Sequence, residues 1–284
     1  MMALFVKYTV MASIVFLMVG VGLNIRFGEV INVAKQFRLV TRGLAANFLV
    51  VPVVIYLAIL WLPLSPDIKI GIMLMAAAPI APMAPPFVGM AKGDLAYSVG
   101  LMTIAALLSV ALTPLILSLT LPKSEQGLVF DPIQIIQTLL FVQLIPIGVA
   151  MAIREGKPKW ADKLLTFVPK IGQIGLLVGV GLLLASQAKQ ILSIGLLAFL
   201  VLPLLVAVSL LIGDWMMMGE PASRRRSLAI STAIRNIPLA FLIANASFSD
   251  TAAGPVTLIF SVLTMVLSVA YGKLMLSREV GAAA

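Results

Sequence analysis

The chain has 284 residues, of which 61% are hydrophobic and only 11% charged, with a mean hydropathy of +1.13. A water-soluble domain needs about 25–35% charged residues on its surface, so this composition excludes one and points to lipid as the solvent. The net charge of +9 sits in short loops between apolar runs, which argues for membrane orientation and against nucleic-acid binding. Cysteine and histidine are both absent, which removes disulfides, thiolate metal sites, a Cys nucleophile and His-based proton relays.

The apolar runs are roughly 20 residues long and do not alternate, which predicts helices and not a β-barrel. Nine membrane segments are predicted, at about 4–25, 38–62, 68–90, 94–121, 132–153, 163–187, 190–218, 223–247 and 252–276. The first is too long for a signal peptide, and Asn24-Ile25-Arg26-Phe27 offers no small-residue cleavage site. With the N-terminus outside, fourteen Lys and Arg fall on the inner side (Arg26, Lys35, Arg38, Arg42, Lys92, Arg154, Lys157, Lys159, Lys163, Arg224, Arg225, Arg226, Lys273, Arg278) and four on the outer (Lys7, Lys69, Lys123, Lys189). That positive-inside bias predicts an inner (plasma) membrane protein with its C-terminus in the cytoplasm.

The third segment carries Ala78-Pro79-Ile80-Ala81-Pro82-Met83-Ala84-Pro85-Pro86. Each proline removes a backbone donor and clashes with the preceding turn, so an unbroken helix is not expected. The eighth carries Ser231-Thr232-Ala233-Ile234-Arg235-Asn236-Ile237-Pro238 near its middle. Each is followed by a turn with an Asp (Asp94, Asp250) and a longer apolar helix. The two units are five segments apart, so they cross the bilayer in opposite directions, as in an inverted repeat. Broken helices at corresponding positions of two halves mark a transporter's central site.

Of the twenty Lys and Arg, two lie outside the loops. Lys170 is near a segment end and can snorkel. Arg235 is about twelve residues from either end, where an Arg costs about 2.5–3.5 kcal/mol. Two readings stay open and can coexist. In one, Arg235 pairs with Asp214 or with carbonyls freed at the third-segment break. In the other it is a fixed cation facing a cavity, where it and the helix N-termini at the breaks attract an anionic substrate.

Ala91-Lys92-Gly93-Asp94-Leu95-Ala96-Tyr97-Ser98-Val99, the later Leu112-Thr113-Pro114, Asn236, and Phe16-Leu17-Met18-Val19-Gly20-Val21-Gly22-Leu23 resemble the bile acid:sodium symporter family. The resemblance implies an all-α polytopic protein of the nine-span form, with an inverted repeat and two broken crossing helices. A panel domain of about 1–30 and 130–188 would work against a core domain of about 31–129 and 189–284. Substrate would bind near the crossing, at Arg235, Asn236, Ile237, Met83, Ala84 and Pro85, with access alternating between the two sides.

The family's sodium ligands are mostly replaced. Its Ser-Asn pair aligns with Ala84 and Pro85, a Thr with Met102, a Gln with Asn47, a shared Glu with Ser231 and another Gln with Arg235; Ser98 matches. One Glu with two sodium ions carries the same net +1 as Ser231 with Arg235 alone. The resemblance therefore implies sodium-independent transport of a small organic anion, with Arg235 standing in for the bound ions. The alternative is sodium coupling through Asn47, Ser98, Thr103, Ser231 and carbonyls; a receptor or channel is a further one. No paired acids, Ser–His pair or metal cluster suggests an enzyme, and no cofactor is called for. The expected partners are the substrate anion and the lipid bilayer, with no nucleic acid. Met216-Met217-Met218 is read as packing and Arg224-Arg225-Arg226 as an anchor at the inner surface.

Overall fold

A computed structural model describes residues 2–121, 131–248 and 251–283. Among them the chain is all helical, with one isolated antiparallel bridge and no strands. In chain order the helices are α1 (Met2–Asn24), α2 (Phe27–Lys35), α3 (Phe37–Trp61), α4 (Pro66–Ala77), α5 (Ala84–Met90) and α6 (Leu95–Thr120). There follow α7 (Pro132–Gly156), α8 (Pro158–Ser186), α9 (Leu196–Met216), α10 (Ala222–Ala233), α11 (Ile237–Ser247) and α12 (Ala253–Ala283), with a short turn of helix at Ala188–Ser193. Six of these are long and apolar enough to cross a membrane, or seven if α1 and α2, bent by 79°, are taken as one span.

The third and eighth predicted segments are each two short helices with a gap. α4 stops at Ala77 because the prolines at 79, 82, 85 and 86 deny the next turn its donors. α5 restarts with Pro85 and Pro86 in its first turn, where a missing N–H costs nothing. α10 ends at Ala233, and α11 begins on Asn236, whose side-chain oxygen accepts from the Leu239 N–H at 3.4 Å, with Pro238 in its first turn. Of the two Asp-bearing turns, that at Asp94 caps α6 through the Tyr97 N–H at 3.0 Å. Asp250, like Lys123, lies outside the described residues.

Two prolines also shape helices that stay continuous. In α3, residues Ala46–Val50 form a π-turn, and in α7 Leu140–Leu144 form another. Pro52 and Pro146 follow them, two residues past the turn. The extra residue per turn moves a proline's ring off the carbonyl it would otherwise strike.

The apolar interior is divided. α1, α7 and α8 close on one another around Val10, Ile14, Met18, Ile147 and Leu176. A larger core gathers α3 to α6 and α9 to α12 around Met73, Met75, Leu101, Leu202 and Ile230. Water drives neither association strongly inside lipid, so close approach of backbones matters. Gly22 shows it: a Cβ there would strike the Ile147 carbonyl of α7.

Candidate functional site

The two gaps meet. The Ala81 N–H donates to the Ile234 carbonyl at 3.0 Å and the Asn236 N–H to the Pro79 carbonyl at 2.8 Å, so Ile80 and Arg235 face each other in an antiparallel bridge. Backbone groups left over from two broken helices thereby satisfy one another where water is scarce. Ala77 loses its usual donor, Ala81, to this bridge; its carbonyl is taken up by the Thr113 hydroxyl of α6 at 2.9 Å.

Arg235 sits at this crossing and is 1% exposed. Its Nη1 donates to the Asn47 carbonyl at 3.0 Å and to the Ala78 carbonyl at 3.1 Å. Both acceptors are free for the same reason. The Val51 N–H, which would ordinarily reach Asn47, reaches Ala46 across the π-turn, and the next residue, Pro52, has no N–H. For Ala78 the missing donor is Pro82. Prolines in two different segments thus leave the two acceptors that hold one guanidinium. The Arg235 Nη2 has no partner, nor does the Asn47 side-chain oxygen, whose amide nitrogen donates to the Gly43 carbonyl at 2.8 Å.

No described carboxylate pairs with Arg235. Of the partners expected for it, a carbonyl freed at the third-segment break, that of Ala78, is used and Asp214 is not; the Asn47 carbonyl, from the second segment, is not among those expected. Asp214 accepts instead from Arg225, at 2.5 and 3.2 Å, and from the Tyr271 hydroxyl at 2.8 Å.

The other named positions fall around the crossing in different ways. Ser231 and Ser98 are buried with their hydroxyls 3.0 Å apart, bridging α10 to α6. Ala84 and Ile237 are buried beside the gaps. Pro85 and Met102 line a cavity of about 270 Å³ that also touches Asn24, Pro82, Pro169 and Gln173. Met83 and Asn236 border a separate void of about 10 Å³ against Ile14 and Leu176, room for one water at most. Arg235 lines neither space.

Gln143 is a participant that the sequence reading did not single out. From the π-turn of α7 its Nε2 donates to the Ala106 carbonyl at 2.6 Å and the Ser109 hydroxyl at 2.8 Å, while its Oε1 accepts from Asn236 Nδ2 at 3.2 Å. It is fully buried and ties α7 to both α6 and α11. The available signal was an amide in an otherwise apolar run, three residues before a proline.

The motif 91–99 forms the turn into α6. Lys92 takes a left-handed conformation (φ 51°) and Gly93 packs where a Cβ would lie 2.6 Å from Val88 and 2.7 Å from the Ser227 hydroxyl. The Tyr97 hydroxyl donates to the Leu39 carbonyl at 3.0 Å, fixing α6 to α3.

Residues 11–194 match the Sodium Bile acid symporter family. The chain belongs to that family. Over 250 residues it is 26% identical to the "Uncharacterized sodium-dependent transporter YocS" of Bacillus subtilis (strain 168), covering 87% of this chain and 76% of the relative. It is 24% identical over 275 residues to the "Hepatic sodium/bile acid cotransporter" of Rattus norvegicus, covering 93% and 74%. It is also 24% identical over 247 residues to the "Probable sodium/metabolite cotransporter BASS2, chloroplastic" of Oryza sativa subsp. japonica, covering 83% of this chain and 56% of the rice protein. As a member of a family of membrane symporters, this chain is an integral membrane protein that moves a small molecule across the bilayer.

Proposed function

We propose that this family member is an alternating-access carrier of a small organic anion that works without sodium, the Arg235 guanidinium supplying the positive charge at the crossing. One observation carries the reading: Arg235 donates to the Asn47 and Ala78 carbonyls. Carbonyls at a helix break are natural ligands for a hard cation. Here an internal cation already occupies them, and its charge opposes a second one at short range in a medium of low dielectric constant. The Ala84, Pro85 and Met102 side chains add no oxygen ligand.

In this reading the 270 Å³ cavity receives the substrate. Its walls are mostly apolar, with the Asn24 and Gln173 amides as polar groups, which suits a compact anion with a hydrocarbon body. Arg235 acts on it through its field and not by contact in this conformation. α1 and α8 form one side of the cavity, α5 and α6 the other, in keeping with a panel moving against a core. Counting each broken pair as one crossing yields nine spans, and the positive-inside bias then puts the cavity on the cytoplasmic side of an inner membrane.

A second reading has its own support. All three relatives are named for sodium, and the unpaired Asn47 Oδ1 with the Ser98 and Ser231 hydroxyls offers oxygens to an ion. The deciding experiment is uptake into proteoliposomes with sodium or choline as the only cation, for the natural chain and for Arg235→Gln. Equal uptake in both salts, reduced at least ten-fold by Arg235→Gln, is expected. Uptake that vanishes in choline overturns sodium independence; uptake indifferent to Arg235→Gln overturns the role of the guanidinium.

A further inference from the structure

α2 is too short to cross a bilayer: nine residues span about 13 Å, against about 30 Å of hydrocarbon. It leaves α1 at 79°, so where α1 crosses the bilayer α2 runs nearly in its plane. Its apolar residues are split between two surroundings. Val33 is buried and presses on Gly100 of α6, which docks the helix to the bundle. Phe27 and Ile31, one turn apart on a different face, are 47% and 55% exposed, and Phe37 just beyond is 76% exposed. Around them stand Arg26, Lys35 and Arg38, all exposed, and none of the three pairs with a described carboxylate. The one acid of the helix, Glu29, accepts the Arg26 backbone N–H at 2.9 Å.

The same end of α1 carries a second surface of this kind. The first turns of α8 pack on Leu23 through Ala161 and turn Trp160, 63% exposed, outward beside Lys157, Lys159 and Lys163. Exposed aromatic and aliphatic groups flanked by unpaired cations are the pattern of an interfacial helix: the apolar groups enter the acyl boundary while the cations meet headgroup phosphates.

We infer that α2, with the start of α8, is a lipid-binding face that seats in the bilayer interface and selects anionic phospholipid through Arg26, Lys35 and Arg38. α2 also joins α1 to α3, so this face holds the linker between the two packed groups of helices at a fixed depth. The inference does not depend on which ion or substrate is carried.

The natural chain has no cysteine, so single-site spin labels can report on it without background. In vesicles of phosphatidylcholine with about one-third phosphatidylglycerol, nitroxides at Phe27→Cys and Ile31→Cys are expected to collide with oxygen in preference to a water-soluble nickel complex. A label at Asn32→Cys should show the reverse. Equal water access at all three sites overturns the in-plane placement. Retention of labelled phosphatidylglycerol over phosphatidylcholine on the full chain tests the charge. Each cation is expected to contribute roughly five-fold, so replacing Arg26, Lys35 and Arg38 by Gln should abolish most of the preference. High salt on the natural chain should weaken it as well, without any substitution. A preference that survives both treatments overturns the role of these cations.

Discussion

Arg235 is held by geometry that two prolines, Pro52 and Pro82, and a π-turn supply, and this makes its chemistry hard to imitate. Both hydrogen bonds of the guanidinium come from one nitrogen, Nη1, and a Lys ammonium at 235 would keep the charge and enough donors for two carbonyls on a stem of different length and shape. Arg235→Lys is therefore expected to retain part of the transport that Arg235→Gln loses, measured as initial uptake rate. The paired change Ser231→Glu/Arg235→Gln returns a carboxylate and removes the internal cation. Its melting temperature in detergent should rise with added sodium, by mass action on a regenerated ion site, while that of the natural chain should not. A sodium response of equal size in both would favour the coupled reading. Asn236→Ala removes the cap of α11 and the amide that Gln143 accepts from; a loss of about 1–2 kcal/mol in stability is expected, read by denaturant or thermal unfolding.

At the level of elements, the broken helices and the π-turns do complementary things. The breaks in α4–α5 and α10–α11 expose backbone groups that pair with each other, and the π-turns of α3 and α7 bring Asn47 and Gln143 to the same crossing. Pro52→Ala restores an N–H and removes the reason for the π-turn in α3. The Asn47 carbonyl should then be recaptured by its own helix, leaving Arg235 with one acceptor. Uptake should fall, but by less than with Arg235→Gln because the charge remains, while far-ultraviolet helicity stays unchanged. Close helix contacts have a separate signature. Gly22→Val drives a side chain into the backbone of α7 and is expected to cost about 1–3 kcal/mol, seen as a lowered melting temperature.

Across the whole molecule, the basic end of the bundle is an ion-pair lattice as well as a topology signal. Arg224 lies 3.5 Å from Asp94 and 3.2 Å from Glu220, Arg225 pairs with Asp214, and Arg226 pairs with Glu279 of α12 and donates to the Lys92 carbonyl at 3.0 Å. The three arginines read as a surface anchor therefore staple α10 to α6, α9 and α12, because each successive side chain on a helix faces a different neighbour. Orientation can be checked on the cysteine-free chain. Lys189→Cys should react with a membrane-impermeant maleimide applied outside the cell and Lys157→Cys only after permeabilisation. The opposite labelling would reverse the orientation.

Residue order alone determined a good deal. The membrane class followed from composition, because lipid sets the hydropathy of every exposed surface. The two breaks followed from proline, whose missing N–H acts locally wherever it falls, and the buried charge at Arg235 stood out because so few charges lie within apolar runs. The partners of that charge were decided only by the tertiary structure. Asp214 and Asn47 were both available in the sequence, and α9 with α10 delivers the first to Arg225, while α3 delivers the carbonyl of the second to Arg235. Gln143 escaped notice for the same reason: an amide in an apolar run acquires meaning from what faces it. Which helix a side chain meets depends on the packing of segments far apart in the chain. That packing also turned the prolines from interruptions into the source of the carbonyls that hold the guanidinium.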